Sequence, residues 1–296
     1  VPIDYLDAGL AGLGVLSIGD DRRPATAYHC RRCDLIWREA NLLDPTLAAR
    51  LDDMVTVLPE NETAWLRQRS GYFQHEFARL QQLSGRDRPS PVAYLDVGCS
   101  YGHLLDIAHR AGWQAAGIDA SKRLVEWLAP RKPYPIFSAL LPCDPLPFQD
   151  TSFDLITFYD SFYMMEDPVL VLDHVYEKLK PGGHLVLRLT NRNRYVRLWL
   201  RAQRWLNRLG RERQTDAIAI LGDLKYSYSP RSFRRLVGLS KFQGSRVRLH
   251  VLERGKKGVS LLTRLVYLAG LFPTWLLLNR AVFSPAFIAI VRKESP

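Results

Sequence analysis

Residues 92–102 read Val92-Ala93-Tyr94-Leu95-Asp96-Val97-Gly98-Cys99-Ser100-Tyr101-Gly102. The first six are apolar apart from Asp96, which predicts a buried strand over 92–97. Gly98 and Gly102 then permit a sharp turn and a close backbone approach to a ligand, because glycine adopts either sign of φ at no steric cost. A helical pattern follows over 103–111. The stretch is therefore a strand, a glycine turn and a helix. In an open α/β sheet such a turn sits at the carboxyl end of its strand, where ligands bind.

Outward from this unit, strands and helices alternate. Residues 114–118 predict a second strand ended by Asp119, and Ser121 caps a helix running to about Ala129. A strand over 153–159, a helix over 167–179, a turn at Pro181-Gly182-Gly183 and a strand over 184–189 follow, with two late strands at 244–252 and 286–291. This alternation predicts an α/β fold: a doubly wound, mostly parallel sheet with helices on both faces. Upstream, residues 44–83 have a helical pattern, with Trp65, Leu66, Tyr72, Phe73, Phe77 and Leu80 on one apolar face. Residues 84–91, rich in Ser, Gly, Pro and charge, form a linker. The chain thus divides into an N-terminal segment (1–43), a helical lead-in with linker (44–91) and a main domain (92–296). Basic or apolar insertions fall at about 191–228 and 255–284 of that domain.

Composition narrows the class. In 296 residues, 47% are hydrophobic and 24% charged, which excludes a disordered or collagen-like chain. Four cysteines make no disulfide framework and suit a reducing compartment. No basic-then-apolar leader opens the sequence, and the expectation is a cytoplasmic protein. The net charge of +11 is unevenly placed: between Arg188 and Arg264 stand 20 lysines and arginines against Glu212, Asp216, Asp223 and Glu253, a local +16 that leaves −5 for the remainder. A mildly acidic body with a strongly basic C-terminal third faces something anionic. The uncharged run 265–279, broken by Pro273, is shorter than the roughly 20 residues that a membrane span needs.

The turn itself discriminates among nucleotides. Asp119 follows Gly98 by 21 residues and ends the next strand, where a carboxylate can accept hydrogen bonds from both ribose hydroxyls. The three positions of a dinucleotide-binding G-x-G-x-x-G are Gly98, Ser100 and His103, so the glycine that admits a pyrophosphate and the one that packs the helix are both missing. A phosphate-cradling G-x-x-x-x-G-K-[ST] is also missing. A ribose-binding acid without a pyrophosphate loop suits a nucleoside that carries no phosphate.

Five elements in this order resemble the class I S-adenosylmethionine-dependent methyltransferases over about 92–190. They are the loop 96–102, Asp119, Leu146-Pro147-Phe148 ahead of Phe153-Asp154, Asp160, and Leu179-Lys180-Pro181-Gly182-Gly183. The resemblance implies a Rossmann-like methyltransferase fold with S-adenosylmethionine as cofactor. It places Asp96, Gly98, Cys99, Ser100 and Gly102 along the methionine and ribose part, Asp119 and Ala120 at the ribose, and Tyr159 and Asp160 at the cofactor's border. Ser100 replaces the family's middle glycine, and no acid before Leu146 offers itself for the adenine. Many relatives carry Glu-His after the fourth strand of the domain, at positions that are Tyr163 and Met164 here, which argues against metal-assisted O-methylation of a catechol. His103, Tyr163, Tyr226 and Tyr228 are acceptor-pocket candidates. No general base stands out, and methyl transfer needs one only if the nucleophile arrives protonated.

Two further segments extend this expectation. Cys30-Arg31-Arg32-Cys33 resembles the second knuckle of a zinc ribbon found in one subgroup of the family. Tetrahedral zinc takes four ligands, and Cys30 and Cys33 supply half, so less than stoichiometric zinc is expected. Arg194, Arg197, Arg201, Arg204 and Arg208 recur every three or four residues, with Leu198, Trp199, Ala202, Trp205, Leu206 and Leu209 on the rest of the helix. Together with the apolar segment 261–283 this predicts peripheral contact with an anionic membrane at the cytoplasmic face. The acceptor is then a small molecule, a saccharide or a lipid-linked compound. The competing readings are an RNA methyltransferase, through Arg-rich surfaces interleaved with aromatics, and a non-catalytic membrane-associated module that keeps the fold.

Overall fold

A computed structural model describes residues 27–38, 59–85, 90–208, 225–251 and 284–294. Its centre is a seven-stranded sheet ordered β5-β4-β3-β6-β7-β10-β9. The strands are β3 (Ala93–Val97), β4 (Gln114–Asp119), β5 (Ile136–Ser138), β6 (Phe153–Tyr159), β7 (Leu179–Thr190), β9 (Val247–Val251) and β10 (Ala286–Arg292). Strands β3 to β7 pair in parallel, and β10 runs antiparallel to both β7 and β9. A separate three-stranded sheet joins β1 (Ala27–His29), β2 (Ile36–Arg38) and β8 (Tyr226–Ser227). From β3 the chain moves outward to β4 and β5 and then returns to β6 on the other side. The order reverses between β3 and β6, and the crevice for a ligand lies there.

Strand periodicity sorts the sheet's side chains into two cores. On one face Tyr94, Leu155, Val186, Ile288 and Ile290 meet α1 (Pro59–Ser84), α2 (His103–Arg110) and α3 (Lys122–Leu128), through Tyr72, Phe73, Phe77, Leu80, Leu104, Leu105, Leu124 and Leu128. On the other, Leu95, Ile156, Phe158, Leu185, Leu187 and Leu189 pack with Val171, Leu172 and Val175 of α4 (Pro168–Lys178) and with Phe233, Leu236 and Val237 of α6 (Pro230–Val237). The inner parallel strands β3, β4 and β6 are buried on both sides, as helix-covered sheets require, while the edge strand β5 leaves Phe137 and Ser138 exposed. The capping expectation holds at Ser121, whose Oγ accepts from Leu124 N at 3.1 Å; Asp167 Oδ1 caps α4 in the same way, accepting from Val169 N and Leu170 N.

Two expectations are modified. Pro181-Gly182-Gly183 does not precede the strand but lies inside β7: Phe153 faces Leu179, and the register then jumps to Leu155 opposite His184. Gly182, at φ 77°, makes that bulge possible, and the exchange of Gly182 N to Lys293 O with Lys293 N to Gly183 O, both 2.9 Å, ties it to the strand's neighbour. The short strands β1, β2, β5 and β8 were not foreseen, because two or three residues carry no readable alternation. The helix expected over 44–83 is seen from Pro59 onward, its first part and the apolar segment 261–283 lying outside the described residues.

Candidate functional site

The glycine turn is built from behind as much as from its own sequence. Gly98 N and Cys99 N both donate to Ile118 O, at 2.8 and 3.0 Å, so the turn folds onto the end of β4. Gly98 has φ 76°, and a Cβ there would lie 2.3 Å from Ser161 Cβ. Ser161 Oγ in turn donates to Val97 O at 2.5 Å, so the loop after β6 presses directly on the turn. Tyr134 OH lies within hydrogen-bonding distance of two acceptors, Asp106 Oδ1 at 2.6 Å and Gly102 O at 2.9 Å, and Lys132 Nζ reaches Asp106 Oδ2 at 2.8 Å. Burial alone would raise the Asp106 pKa, but hydrogen bonds from His103, Lys132 and Tyr134 outweigh it and hold the carboxyl at about 2.

Asp119 is held by backbone at both oxygens. Ser100 N donates to Oδ2 at 2.9 Å and Ser121 N to Oδ1 at 3.0 Å. An ionised carboxylate offers acceptors on both oxygens, the property that ligand hydroxyls require. Asp96 is different. It is fully buried, and its Oδ1 accepts from Thr157 Oγ1 at 2.6 Å, with Tyr94 OH 2.8 Å from that hydroxyl. Burial pushes its pKa up to about 7 against the opposing effect of the Thr157 hydrogen bond, with the Asp119 charge adding to the rise.

Two cavities flank the turn and share Gly98 and Asp160. One, of about 230 Å³, is lined by Asp119, Ala120, Leu140, Leu141, Ser161, Met164 and Met165 among others. The other, of about 300 Å³, is lined by Asp96, Cys99, Ser100, Leu104, Tyr159 and Tyr163, together with Arg69, Tyr72 and Phe73 from α1. Ser100 at φ 50° and Asp160 at φ 64° hold left-handed backbone on the two loops that meet here. Strain of that kind persists where the surroundings over-determine it. Asp160 is clamped by an ion pair to Arg188, whose guanidinium also lies 5.8 Å from the Tyr72 ring centroid. Tyr159 OH donates to the buried Glu76 of α1 at 3.1 Å.

The structure thus brings Asp96, Gly98, Cys99, Ser100, Asp119, Ala120, Tyr159, Asp160 and Tyr163 to the walls of these cavities. Gly102 lies behind them as the left-handed N-cap of α2. His103, an acceptor candidate, instead packs between Phe73 and Tyr101 with Asp106 3.9 Å away, and it lines neither cavity. Tyr226 and Tyr228 are also placed elsewhere. Tyr226 OH donates to Glu166 O, and Tyr228 is buried against Phe162, Phe233 and Tyr226, so both fill the second core and not a pocket.

Cys30 and Cys33 are buried in that same core, with Cys33 N donating to Cys30 Sγ at 3.4 Å and burial pushing the Cys33 thiol up to about 11. Among the described residues no group of three or more His, Cys, Asp or Glu side chains is placed to hold a metal.

The contribution of α1 was not anticipated. Arg69, Tyr72 and Phe73 reach the 300 Å³ cavity from a helix that the linker separates from the glycine turn, and no spacing rule connects the two. Arg69 is half-buried, and burial followed by the neighbouring Arg188 charge lowers its pKa.

Residues 65–239 match a family model described as a methyltransferase domain. A ubiquinone biosynthesis O-methyltransferase of Xanthomonas axonopodis pv. citri (strain 306) is 31% identical over 121 residues, 38% of this chain and 49% of that protein. The chain therefore spans about half the length of that curated relative. Among solved structures, an S-adenosylmethionine-dependent methyltransferase from Archaeoglobus fulgidus covers 78% of this chain and 99% of its own at 16% identity and a TM-score of 0.47. A putative Haloferax volcanii methyltransferase, solved with the Trm112 activator, covers 79% and 96% at 16% identity and the same TM-score of 0.47. The family match extends over more than half of the chain and takes in α1, the glycine turn, Asp119 and both cavities: the chain belongs to the class I S-adenosylmethionine-dependent methyltransferases.

Proposed function

We propose that this enzyme methylates a small-molecule, saccharide or lipid-linked acceptor at the surface of an anionic membrane. The observation that carries the membrane part is α5 (Asn193–Arg208), where Leu198 and Trp205 are 67% and 62% exposed. They lie two turns apart on a face that also presents the exposed Arg201, Ala202 and Arg208. The expected arginine face is broken at Arg197. Arg197 turns inward to pair with Asp34, and Asn193 Nδ2 donates to Asp34 O, which docks α5 on the β1–β2 turn. What remains outward is a mixture of Trp, Leu and Arg, suited to the headgroup level of a bilayer. No helix among the described residues is long and apolar enough to cross a membrane.

The donor set fits S-adenosylmethionine, which supplies an electrophilic methyl group on a sulfonium. In this reading Asp119 and Ala120 hold the ribose, and Leu140, Leu141, Met164 and Met165 enclose the adenine edge of the smaller cavity. Asp96, Gly98, Cys99, Ser100 and Gly102 shape the methionine side. Asp96 faces the ammonium and Arg69 the carboxylate, one opposite charge for each. Tyr159 and Asp160 border the reacting end, while Tyr72, Phe73 and Tyr163 close it against water. Alignment of this kind can contribute about 7–11 kcal/mol. The relative named for ubiquinone biosynthesis O-methylation supports a hydroxyl acceptor.

Co-sedimentation with anionic vesicles at low salt tests the membrane part. Wild-type protein is expected to pellet, and Leu198→Ala/Trp205→Ala to pellet at least fivefold less. Failure of the wild type to pellet overturns it.

A further inference from the structure

We propose that Arg246, Arg248 and Arg292 form a second ligand site, specific for a phosphate group and located at the end of the sheet opposite the cofactor cavities. A cavity of about 220 Å³ is lined by these three arginines with His184, Ile290 and the single carboxylate Glu294. Its place follows from strand register. Arg292 on β10 faces His184 on β7, and Ile290 faces Arg248 on β9. Side chains two apart share a face, so Arg248 lies diagonally beside Arg292. The same register carried one residue beyond β9 brings Arg246 opposite Arg292. His184 and Thr190 mark the two ends of the β7–β10 pairing, about 20 Å apart along the strand, and the cofactor cavities open at the Thr190 end.

Like charges on adjacent strands destabilise a sheet. Elsewhere at this end of the molecule such charge is compensated: Lys178 pairs with Asp150 at 2.7 Å, Lys180 with Asp154 at 3.0 Å, and Lys241 with Glu177. Arg246, Arg248 and Arg292 have no ion-pair partner among the described residues. Three guanidiniums converging on one concavity, with one carboxylate between them, leave an excess that a doubly charged phosphate group would neutralise, and arginine forks bind phosphate oxygens bidentately. The volume suits a phosphate ester or pyrophosphate and not a nucleic-acid groove. The outward face of α5 follows the Thr190 end of β7, so this cluster is distinct from the membrane face proposed above.

Calorimetric titration of the full chain with inorganic pyrophosphate at constant ionic strength tests the site. The expected result is saturable binding that weakens at least tenfold in Arg248→Ala and in Arg292→Ala, while both variants bind S-adenosylmethionine as the wild type does. Vesicles containing a phosphomonoester lipid form a second arm. Pelleting unchanged by the variants assigns the phosphate to a soluble ligand, and pelleting lost in them assigns it to a headgroup.

Pyrophosphate binding that is unsaturable, or equal in wild type and variants, overturns the proposal. So does RNA binding lost in the variants when pyrophosphate does not bind. Because pyrophosphate is titrated alone, a failure of S-adenosylmethionine to bind would leave this test intact.

Discussion

Asp96 places function and stability in opposition at a single carboxyl. Its folded pKa of about 7 stands against the ordinary 3.8 of a free aspartate side chain, so between those values the folded chain binds a proton that the unfolded chain has lost. Stability of the cofactor-free protein therefore falls as pH rises from about 4 to about 7 and stays reduced above that. Asp96→Asn keeps an acceptor for Thr157 and removes the penalty. Chemical denaturation at pH 8 is expected to find the variant about 2–4 kcal/mol more stable than wild type, with the two converging near pH 4. The same variant loses the charge proposed to face the cofactor's ammonium, so its affinity for S-adenosylmethionine at pH 8 should fall at least tenfold. A variant less stable than wild type at pH 8 would refute the buried-charge explanation. Gly98 carries a steric constraint instead: at φ 76° and 2.3 Å from Ser161 Cβ, an added methyl group has nowhere to go. Gly98→Ala is expected to cost more than about 2 kcal/mol, seen as a lowered denaturation midpoint.

At the scale of elements, α1 completes a site whose other walls come from the carboxyl ends of β3, β4 and β6. Arg69, half-buried near Arg188, lines the larger cavity. With Arg69 proposed to face the cofactor's carboxylate, Arg69→Ala should weaken S-adenosylmethionine binding about tenfold, the worth of a charge-assisted hydrogen bond, with little change in the cofactor-free Tm. A lowered Tm with unchanged affinity would make Arg69 structural. Strands β3, β4, β6 and β7 were legible because each is a mostly apolar run bounded by glycine, proline or capping signals, and Asp119 and Ser121 were legible because turn and cap chemistry is local. The role of α1 was not, since its approach to the turn is a tertiary contact across a linker. Tyr226 and Tyr228 misled for a related reason. Aromatic residues near a functional region suit a pocket wall and a core equally, and only the docking of β8 on β2 shows that they are core. The bulge in β7 was hidden because Pro-Gly-Gly normally ends a strand, and the bonds that keep it in the sheet come from Lys293, over a hundred residues away.

For the whole molecule, the basic excess read from the sequence is divided and not spread evenly. Part is consumed internally, as in the pairs Arg188–Asp160, Arg197–Asp34 and Lys225–Glu166. Among the described residues, further basic side chains lie on α5, on α6 and, at the other end of the sheet, around Arg248 and Arg292. Exposed charges of this kind are screened beyond about 8 Å at physiological ionic strength. Vesicle association should accordingly fall as salt is raised, yet retain a fraction dependent on Trp205; binding unchanged in Trp205→Ala at low salt, with none left for wild type at high salt, would make the contact purely electrostatic. All of these expectations presuppose that the turn, Asp119 and the two cavities form one cofactor site. The most direct test is calorimetric titration of the folded chain with S-adenosylmethionine, with NAD and Asp119→Ala as controls. Saturable binding of S-adenosylmethionine alone, weakened at least tenfold in Asp119→Ala, is the expected result. Binding that is undetectable in the folded wild type, or that is equally strong in the variant, would contradict it.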